Sequence, residues 1–245
     1  MKIIVAADYD EMSKLAANHV AQWVRQNPKA VLGLPTGGTP LGMYRNLIEM
    51  HRGSNLSFKD VTTFNLDEYV GLEPHHSNSY RYYMYENFFK HIDVQEHNVN
   101  IPDGTAEDLE QECIHYEDKI RNAGGIDLMV LGLGNNGHIG FNEPSDRFPA
   151  TTHVTKLDES TVQANARFFE RIDQVPRYSI TIGIGSIMRC RRILLLASGK
   201  AKARAISAAL EGPVTPSLPA SILQFHPDVT VILDAEAASK LTNAV

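Results

Sequence analysis

Short runs of Val, Ile and Leu recur along the chain, and the stretches between them carry apolar residues at helical spacing. The runs at residues 2–6, 30–34, 61–66, 127–133, 178–184, 193–197 and 229–233 lack strict apolar–polar alternation. That pattern predicts strands covered on both faces. Helical periodicity occupies residues 10–26, 41–52, 106–123, 159–170 and 200–211. Strand followed by helix, repeated, predicts an α/β fold. The sheet is expected to be open, doubly wound and mainly parallel, of about seven strands with helices on both faces, Rossmann-like in outline. No internal repeat, low-complexity tract or linker interrupts the 245 residues, so a single domain over 1–245 is expected. Parallel strands end on one rim, so the turns after residues 34, 66, 133 and 197 should converge there, each bringing polar groups.

Composition narrows the partners. A hydrophobic content of 43% with 21% charged residues is ordinary for a water-soluble domain. No apolar run approaches the roughly 20 residues that a bilayer crossing needs. Residues 1–10, a short apolar stretch followed by acids, do not read as a signal peptide. Cys113 and Cys190 are too few for a disulfide framework, and no Cys-x-x-Cys spacing offers a zinc site. A cytoplasmic protein is expected. The net charge of −6 argues against nucleic-acid or anionic-membrane partners, so any anion must be read by a local device.

Four segments on that rim carry candidate chemistry. The first is Pro35-Thr36-Gly37-Gly38-Thr39-Pro40, just before a helix. Its glycines free backbone N–H groups, its threonines add hydroxyls, and the helix start adds partial positive charge, which together suit a phosphate. The plainer alternative is a tight turn with Thr39 as helix N-cap. The second is Asp67-Glu68-Tyr69, whose adjacent carboxylates cannot both enter a core. One is a candidate general base facing the rim, the other faces solvent or a partner; an N-cap or ion pair is the structural alternative. Desolvation would raise such an acid from about 3.9 toward a working pH.

The third segment is Gly132-Leu133-Gly134-Asn135-Asn136-Gly137-His138-Ile139-Gly140-Phe141-Asn142-Glu143-Pro144. Glu143 is placed to orient the His138 imidazole, and Asn136 to hold a substrate hydroxyl. A hydrogen-bonded structural histidine is the alternative, and no second histidine at metal-binding spacing accompanies it. The fourth pairs the Ser198-Gly199-Lys200 helix start with Arg167; each cation alone reads as solvated. Lys202, Arg204, Arg189, Arg191 and Arg192 read as ordinary surface charge, and the aromatic stretch 69–89 as helix packing.

Taken together, Leu34-Pro35-Thr36-Gly37-Gly38-Thr39-Pro40, Phe64-Asn65-Leu66-Asp67-Glu68-Tyr69 and Gly134-Asn135-Asn136-Gly137-His138-Ile139-Gly140-Phe141-Asn142-Glu143-Pro144 resemble the glucosamine-6-phosphate deaminase (isomerase) family. The match continues through Ala166-Arg167-Phe168-Phe169, Val175-Pro176-Arg177-Tyr178 and Gly199-Lys200, in the family's order. The resemblance implies a hydrolytic aldose–ketose isomerisation in amino sugar catabolism. D-Glucosamine 6-phosphate would give fructose 6-phosphate and ammonia, with no metal or organic cofactor. It implies Asp67 as the base moving a proton between C2 and C1 through an enolamine. His138 would open the pyranose ring, with Asn136 and Glu143 in support. Residues 36–39, Arg167 and Lys200 would hold the phosphate; residues 158–178 would form a lid or, equally, an ordinary helix-and-loop cover.

Two features depart from the family's longer members. Asn136 stands where those carry aspartate. His153 and Thr155 replace a basic pair that binds the activator N-acetylglucosamine 6-phosphate at a subunit interface, and the chain ends soon after Asp234. A non-allosteric, monomeric form is therefore expected. Rival readings are a 6-phosphogluconolactonase, a ribose-5-phosphate isomerase, or a sugar-phosphate sensor without turnover. The Asn-Glu-Pro continuation and Asp67 argue against the first, and the lack of a basic DNA-binding appendage argues against the last.

Overall fold

The computed structural model describes residues 1–53 and 56–242. Its main sheet has seven parallel strands in the order β1-β10-β9-β6-β2-β3-β5. These are β1 (Lys2–Ala6), β2 (Val31–Leu34), β3 (Thr62–Asn65), β5 (Val99–Asn100), β6 (Leu128–Leu131), β9 (Arg192–Ala197) and β10 (Val229–Asp234). A second, antiparallel sheet joins β4 (Asp67–Tyr69), β8 (Tyr178–Thr181) and β7 (His153–Lys156), with β8 in the middle. The helices are α1 (Tyr9–Gln26), α2 (Leu41–Arg52), α3 (Tyr80–Asn87), α4 (Leu109–Asn122), α5 (Glu159–Asn165), α6 (Ile184–Met188), α7 (Ala203–Glu211) and α8 (Ala235–Ala238).

Both faces of the main sheet are covered, which is why its strands lack alternation. In β9, Leu194 and Leu196 pack with Met12, Val20, Met43 and Leu47 of α1 and α2. Ile193, Leu195 and Ala197 point to the opposite core, with Tyr116 and Ile120 of α4 and Ile206 and Ala209 of α7. The period-2 rule thus holds within an all-apolar strand because each face meets its own helix layer. Sidechain caps start several helices: the Asp8 carboxylate accepts Glu11 N at 2.8 Å, and Asp108 accepts Gln111 N at 2.9 Å.

Several boundaries differ from expectation. Residues 178–184 were expected in the main sheet, yet β8 lies in the second one. There Tyr178 is exposed while Ser179–Thr181 are buried, and Ser179 Oγ donates to Glu68 O at 2.7 Å. The main sheet's seventh strand is instead the two-residue β5 at its edge, too short to leave a pattern. The helix expected over 159–170 ends at Asn165 and passes into a 3-10 turn, Ala166–Phe168. The helix expected from 200 starts with a 3-10 turn, Lys200–Lys202, before α7. Among the described residues, no helix is long and apolar enough to cross a membrane.

The strand order reverses between β2 and β6. From β2 the sheet grows outward through β3 to β5, and from β6 through β9 and β10 to β1. Such a switch point opens a crevice at the carboxyl ends of the strands.

Candidate active site

A cavity of ≈ 730 Å³ fills that crevice, within the ~300–1,000 Å³ range of small-molecule sites. Thr36, Gly37, Gly38 and Thr39 enter it after β2, Asp67 after β3, Asn136 and His138 after β6, and Ser198 and Lys202 after β9. The four rim turns do converge.

Asp67 opens β4, where it pairs with Thr181. It is 7% exposed, and no hydrogen bond reaches its carboxyl among the described residues. Burial, reinforced by the neighbouring Glu68 charge, pushes it up to about 8. Glu68 faces the other way and is 3% exposed. Its carboxylate accepts the backbone N–H of Tyr69 (2.9 Å), Tyr80 (2.8 Å) and Arg81 (2.9 Å), closing the N-terminus of α3. The two readings of the acidic pair are thus divided between its members: Asp67 faces the cavity unpaired, and Glu68 caps a helix.

His138 lines the same cavity from a glycine-rich turn. Its Nδ1 lies 3.2 Å from Glu143 Oε2 and 3.5 Å from Thr161 Oγ1. Nε2 has no hydrogen-bond partner among the described residues. The ring lies so close to Gly134 that a Cβ there would collide with Cε1, Nδ1 and Nε2, so this glycine is required by the imidazole's place. Asn136 Nδ2 donates to Glu143 Oε2 at 2.7 Å, and its Oδ1 accepts His138 N at 3.2 Å. Both polar ends of Asn136 are therefore used inside the turn. Burial alone would raise Glu143, but hydrogen bonds from His138, Thr161 and Asn136, with the His138 charge, outweigh it and leave this carboxylate lowered.

Residues 158–178 cover this side. Asp158 N donates to Glu143 Oε1 at 3.2 Å, and Asn165 Nδ2 to the Tyr69 hydroxyl at 2.9 Å. Beneath them Tyr69, Phe141, Leu157, Val162 and Val175 form a small core of their own, with Tyr80 and Phe169 against it. Tyr80 and Phe141 stack with centroids 6.0 Å apart.

The cationic end corrects one expectation. Lys200 is exposed and does not line the cavity, because the Lys200–Lys202 turn carries it outward. Lys202, which read as surface charge, lines the cavity with Arg167. Burial, and then Arg167, bring the Lys202 amine down to about 8. Neither cation has a carboxylate partner among the described residues; Arg167 lies 4.7 Å over the Phe168 ring. The 198–202 turn is tied down by Asp234, whose carboxylate accepts Ser198 Oγ at 2.5 Å and Gly199 N at 2.9 Å. Reading the helical period of α7 backward from Ala209 and Ile206 lands on Lys202, a signal available in the sequence. Thr39 makes no N-cap bond; Pro40 occupies that position. No group of three or more His, Cys, Asp or Glu among the described residues is placed to hold a metal.

The sequence model of the family described as glucosamine-6-phosphate isomerases/6-phosphogluconolactonase matches residues 6–232. A glucosamine-6-phosphate deaminase of Thermoanaerobacter pseudethanolicus is 55% identical over 239 residues, covering 98% of this chain and 94% of that protein. A solved structure described as a monomeric glucosamine-6-phosphate deaminase superposes with a TM-score of 0.96 at 51% identity, covering 98% of this chain and 100% of the other. A 6-phosphogluconolactonase from Trypanosoma cruzi shares the fold, with a TM-score of 0.81 at 22% identity over 98% of this chain and 97% of its own.

Proposed function

The chain belongs to the glucosamine-6-phosphate isomerase/6-phosphogluconolactonase family, and we propose that it converts D-glucosamine 6-phosphate to fructose 6-phosphate and ammonia. One observation carries the reading: a single cavity is lined by the buried, unpaired Asp67, by the Glu143-held His138 and by two cations without a carboxylate partner among the described residues. A lactone hydrolase has no proton to move between adjacent carbons, and so no use for a shielded carboxylate. An aldose–ketose isomerase needs one.

The phosphate is held by residues 36–39, Arg167 and Lys202, with Lys202 taking the place expected for Lys200. Charge-assisted bonds there anchor the sugar away from the reacting carbons. His138 moves a proton between O1 and O5 to open the ring; Nε2 is the atom free to do so, because Nδ1 faces Glu143. Asn136 and Glu143 act by holding the imidazole. Asp67 takes the C2 proton to give the enolamine and returns it to C1. The resulting C2 imine adds water and releases ammonia. An acid raised to about 8 suits this task, since it holds the proton long enough to deliver it.

The same reading makes the protein a cytoplasmic, monomeric and non-allosteric enzyme of N-acetylglucosamine catabolism. His153 supports the non-allosteric reading. Burial, with the Arg147 charge, outweighs the hydrogen bond to Thr151 O and lowers its pKa, which disfavours a cation where an acidic activator would need one.

The test is release of ammonia and fructose 6-phosphate from D-glucosamine 6-phosphate in metal-free buffer, with and without N-acetylglucosamine 6-phosphate. Equal release of both products along a hyperbolic rate curve, unchanged by the acetylated sugar, is expected. Lactone hydrolysis without ammonia release would overturn the reaction. A sigmoidal curve made hyperbolic by the acetylated sugar would overturn only the regulation.

A further inference from the structure

Three tyrosine hydroxyls meet carbonyls of the 35–40 loop. Tyr44 of α2 donates to Pro35 O at 2.6 Å, Tyr83 of α3 to Gly37 O at 2.6 Å, and Tyr9 of α1 to Gly38 O at 3.0 Å. The Tyr9 oxygen also accepts Gly42 N, in the first turn of α2, at 2.8 Å. Tyr44 is fully buried and belongs to the core, whereas Tyr9 and Tyr83 line the cavity.

A trans peptide points its C=O and N–H in opposite directions. Tying the Gly37 carbonyl to Tyr83 therefore aims the Gly38 N–H away from that ring, and tying the Gly38 carbonyl to Tyr9 does the same for the Thr39 N–H. Among the described residues, neither amide has a protein acceptor. Left alone, a Gly-Gly pair is the least restrained dipeptide a chain can offer, and Gly37 sits at φ +97°. Ordering a backbone residue costs conformational entropy. A loop already held in shape meets an anion without that cost.

We propose that Tyr83 and Tyr9 are positioning residues for the phosphate: their hydroxyls lock two consecutive peptide planes so that the Gly38 and Thr39 amides face the anion. This rests on the sugar-phosphate reading of the cavity. Tyr83 also ties the loop to α3, whose N-terminus holds Glu68, so one helix bridges the anion loop and the acidic strand. Burial, with Tyr9 nearby, raises the Tyr83 phenol, which keeps its hydroxyl a donor.

The experiment compares Tyr83→Phe, Tyr9→Phe and the double variant with the unaltered protein. The readouts are titration calorimetry with inorganic phosphate, kcat and KM for D-glucosamine 6-phosphate, and the melting midpoint. Losing one hydroxyl should weaken phosphate binding and raise KM about fivefold, more in the double variant, with kcat within about twofold. Lys202→Ala serves as the reference. If it weakens phosphate binding while the double phenylalanine variant binds normally, the tyrosine proposal alone falls. A lowered melting midpoint with unchanged phosphate affinity, or a loss confined to kcat, would also overturn it. Should the unaltered protein fail to bind phosphate, this proposal and the reading of the cavity's anion end fall together.

Discussion

Two carboxylates serve the same cavity and are driven in opposite directions. Asp67, at the end of a sheet strand, is buried without a donor and raised to about 8. Glu143, on a glycine-rich turn, is also largely buried, yet its donors, led by His138, hold it below the usual range. Burial is the largest single influence on both. What separates them is hydrogen bonding to the charged form, and that follows from local backbone. A strand presents Asp67 to the cavity with no donor beside its carboxyl, while the turn folds Asn136, His138 and the start of the α5 segment around Glu143. Environments that push two acids apart assign their tasks. Asp67 is fit to exchange protons, and Glu143 to stay charged and hold an imidazole.

The largest effect should come from breaking the raised end. Asp67→Asn is expected to lower kcat/KM by about 10³–10⁴-fold, while phosphate binding by calorimetry stays near that of the unaltered chain. The same variant tests the origin of the shift. In the folded chain Asp67 binds its proton more tightly than when unfolded, so stability is lost as pH rises from about 4 to 8. Asparagine removes that loss. Its melting midpoint should therefore exceed the unaltered protein's by a margin that grows over this range. A margin flat with pH would show that Asp67 is not strained by its burial. Breaking the lowered end should cost less. Glu143→Gln removes the charge and leaves one acceptor oxygen where His138, Asn136 and Asp158 now share two, and kcat is expected to fall about 10²-fold with KM little changed. A near-normal kcat would show that the turn holds the imidazole without this carboxylate.

How legible this was in the sequence depended on how much of each element's own pattern survived. The six longer main-sheet strands were visible as apolar runs because two helix layers cover them, and the rim loops followed from their parallel order. The second sheet was not, since β4 is Asp-Glu-Tyr and β7 is His-Val-Thr-Lys, neither apolar nor long. Residues 178–181 alternate as Tyr-Ser-Ile-Thr, yet Ser179, Ile180 and Thr181 are all buried, so the alternation does not mark an open face and does not by itself tell the two sheets apart. At the site, Asp67, His138 and the threonine–glycine loop stood out by residue type. The partition of the acidic pair depends on α3 arriving against Glu68 from twelve or more residues away, which no local spacing encodes. The lysine that lines the cavity lies two residues past the Gly199-Lys200 start, because the Lys200–Lys202 turn leaves Lys200 exposed.

That offset gives the next contrast. Lys202→Ala is expected to raise KM roughly 10–100-fold, as removal of a charge-assisted bond does, with kcat largely kept. Lys200→Ala should change KM less than about twofold, since exposed charges count for little. The pH profile sharpens the point. Lys202, lowered to about 8, loses its charge as pH rises, so phosphate affinity should weaken above that pH. Asp67 gains its charge over the same interval, so turnover should rise. The unaltered protein then shows opposed limbs close together in kcat/KM, and Lys202→Ala should lack the alkaline one. Equal KM effects from both lysines would return the phosphate assignment to the solvent-exposed position.

The smallest expected effect bears most directly on why the two carboxylates differ. Glu68 is the second influence raising Asp67, after burial, and it acts from behind the strand without touching the cavity. Glu68→Gln removes that charge and leaves the desolvation. The acid limb of kcat/KM should therefore move to lower pH, yet stay well above the ordinary carboxylate range. Comparing variants on one substrate cancels the substrate's own ionisations, because kcat/KM reports the free enzyme and free substrate. The glutamine amide also turns a donor toward Tyr80 N or Arg81 N, leaving a buried N–H unmet at a cost of about 1–3 kcal/mol. Lost stability alone would lower the melting midpoint and leave the limb in place. A limb that moves acidward identifies Glu68 as part of what makes Asp67 a base. A limb that stays put assigns the whole effect to burial, and the contrast with Glu143 then rests on hydrogen bonding alone.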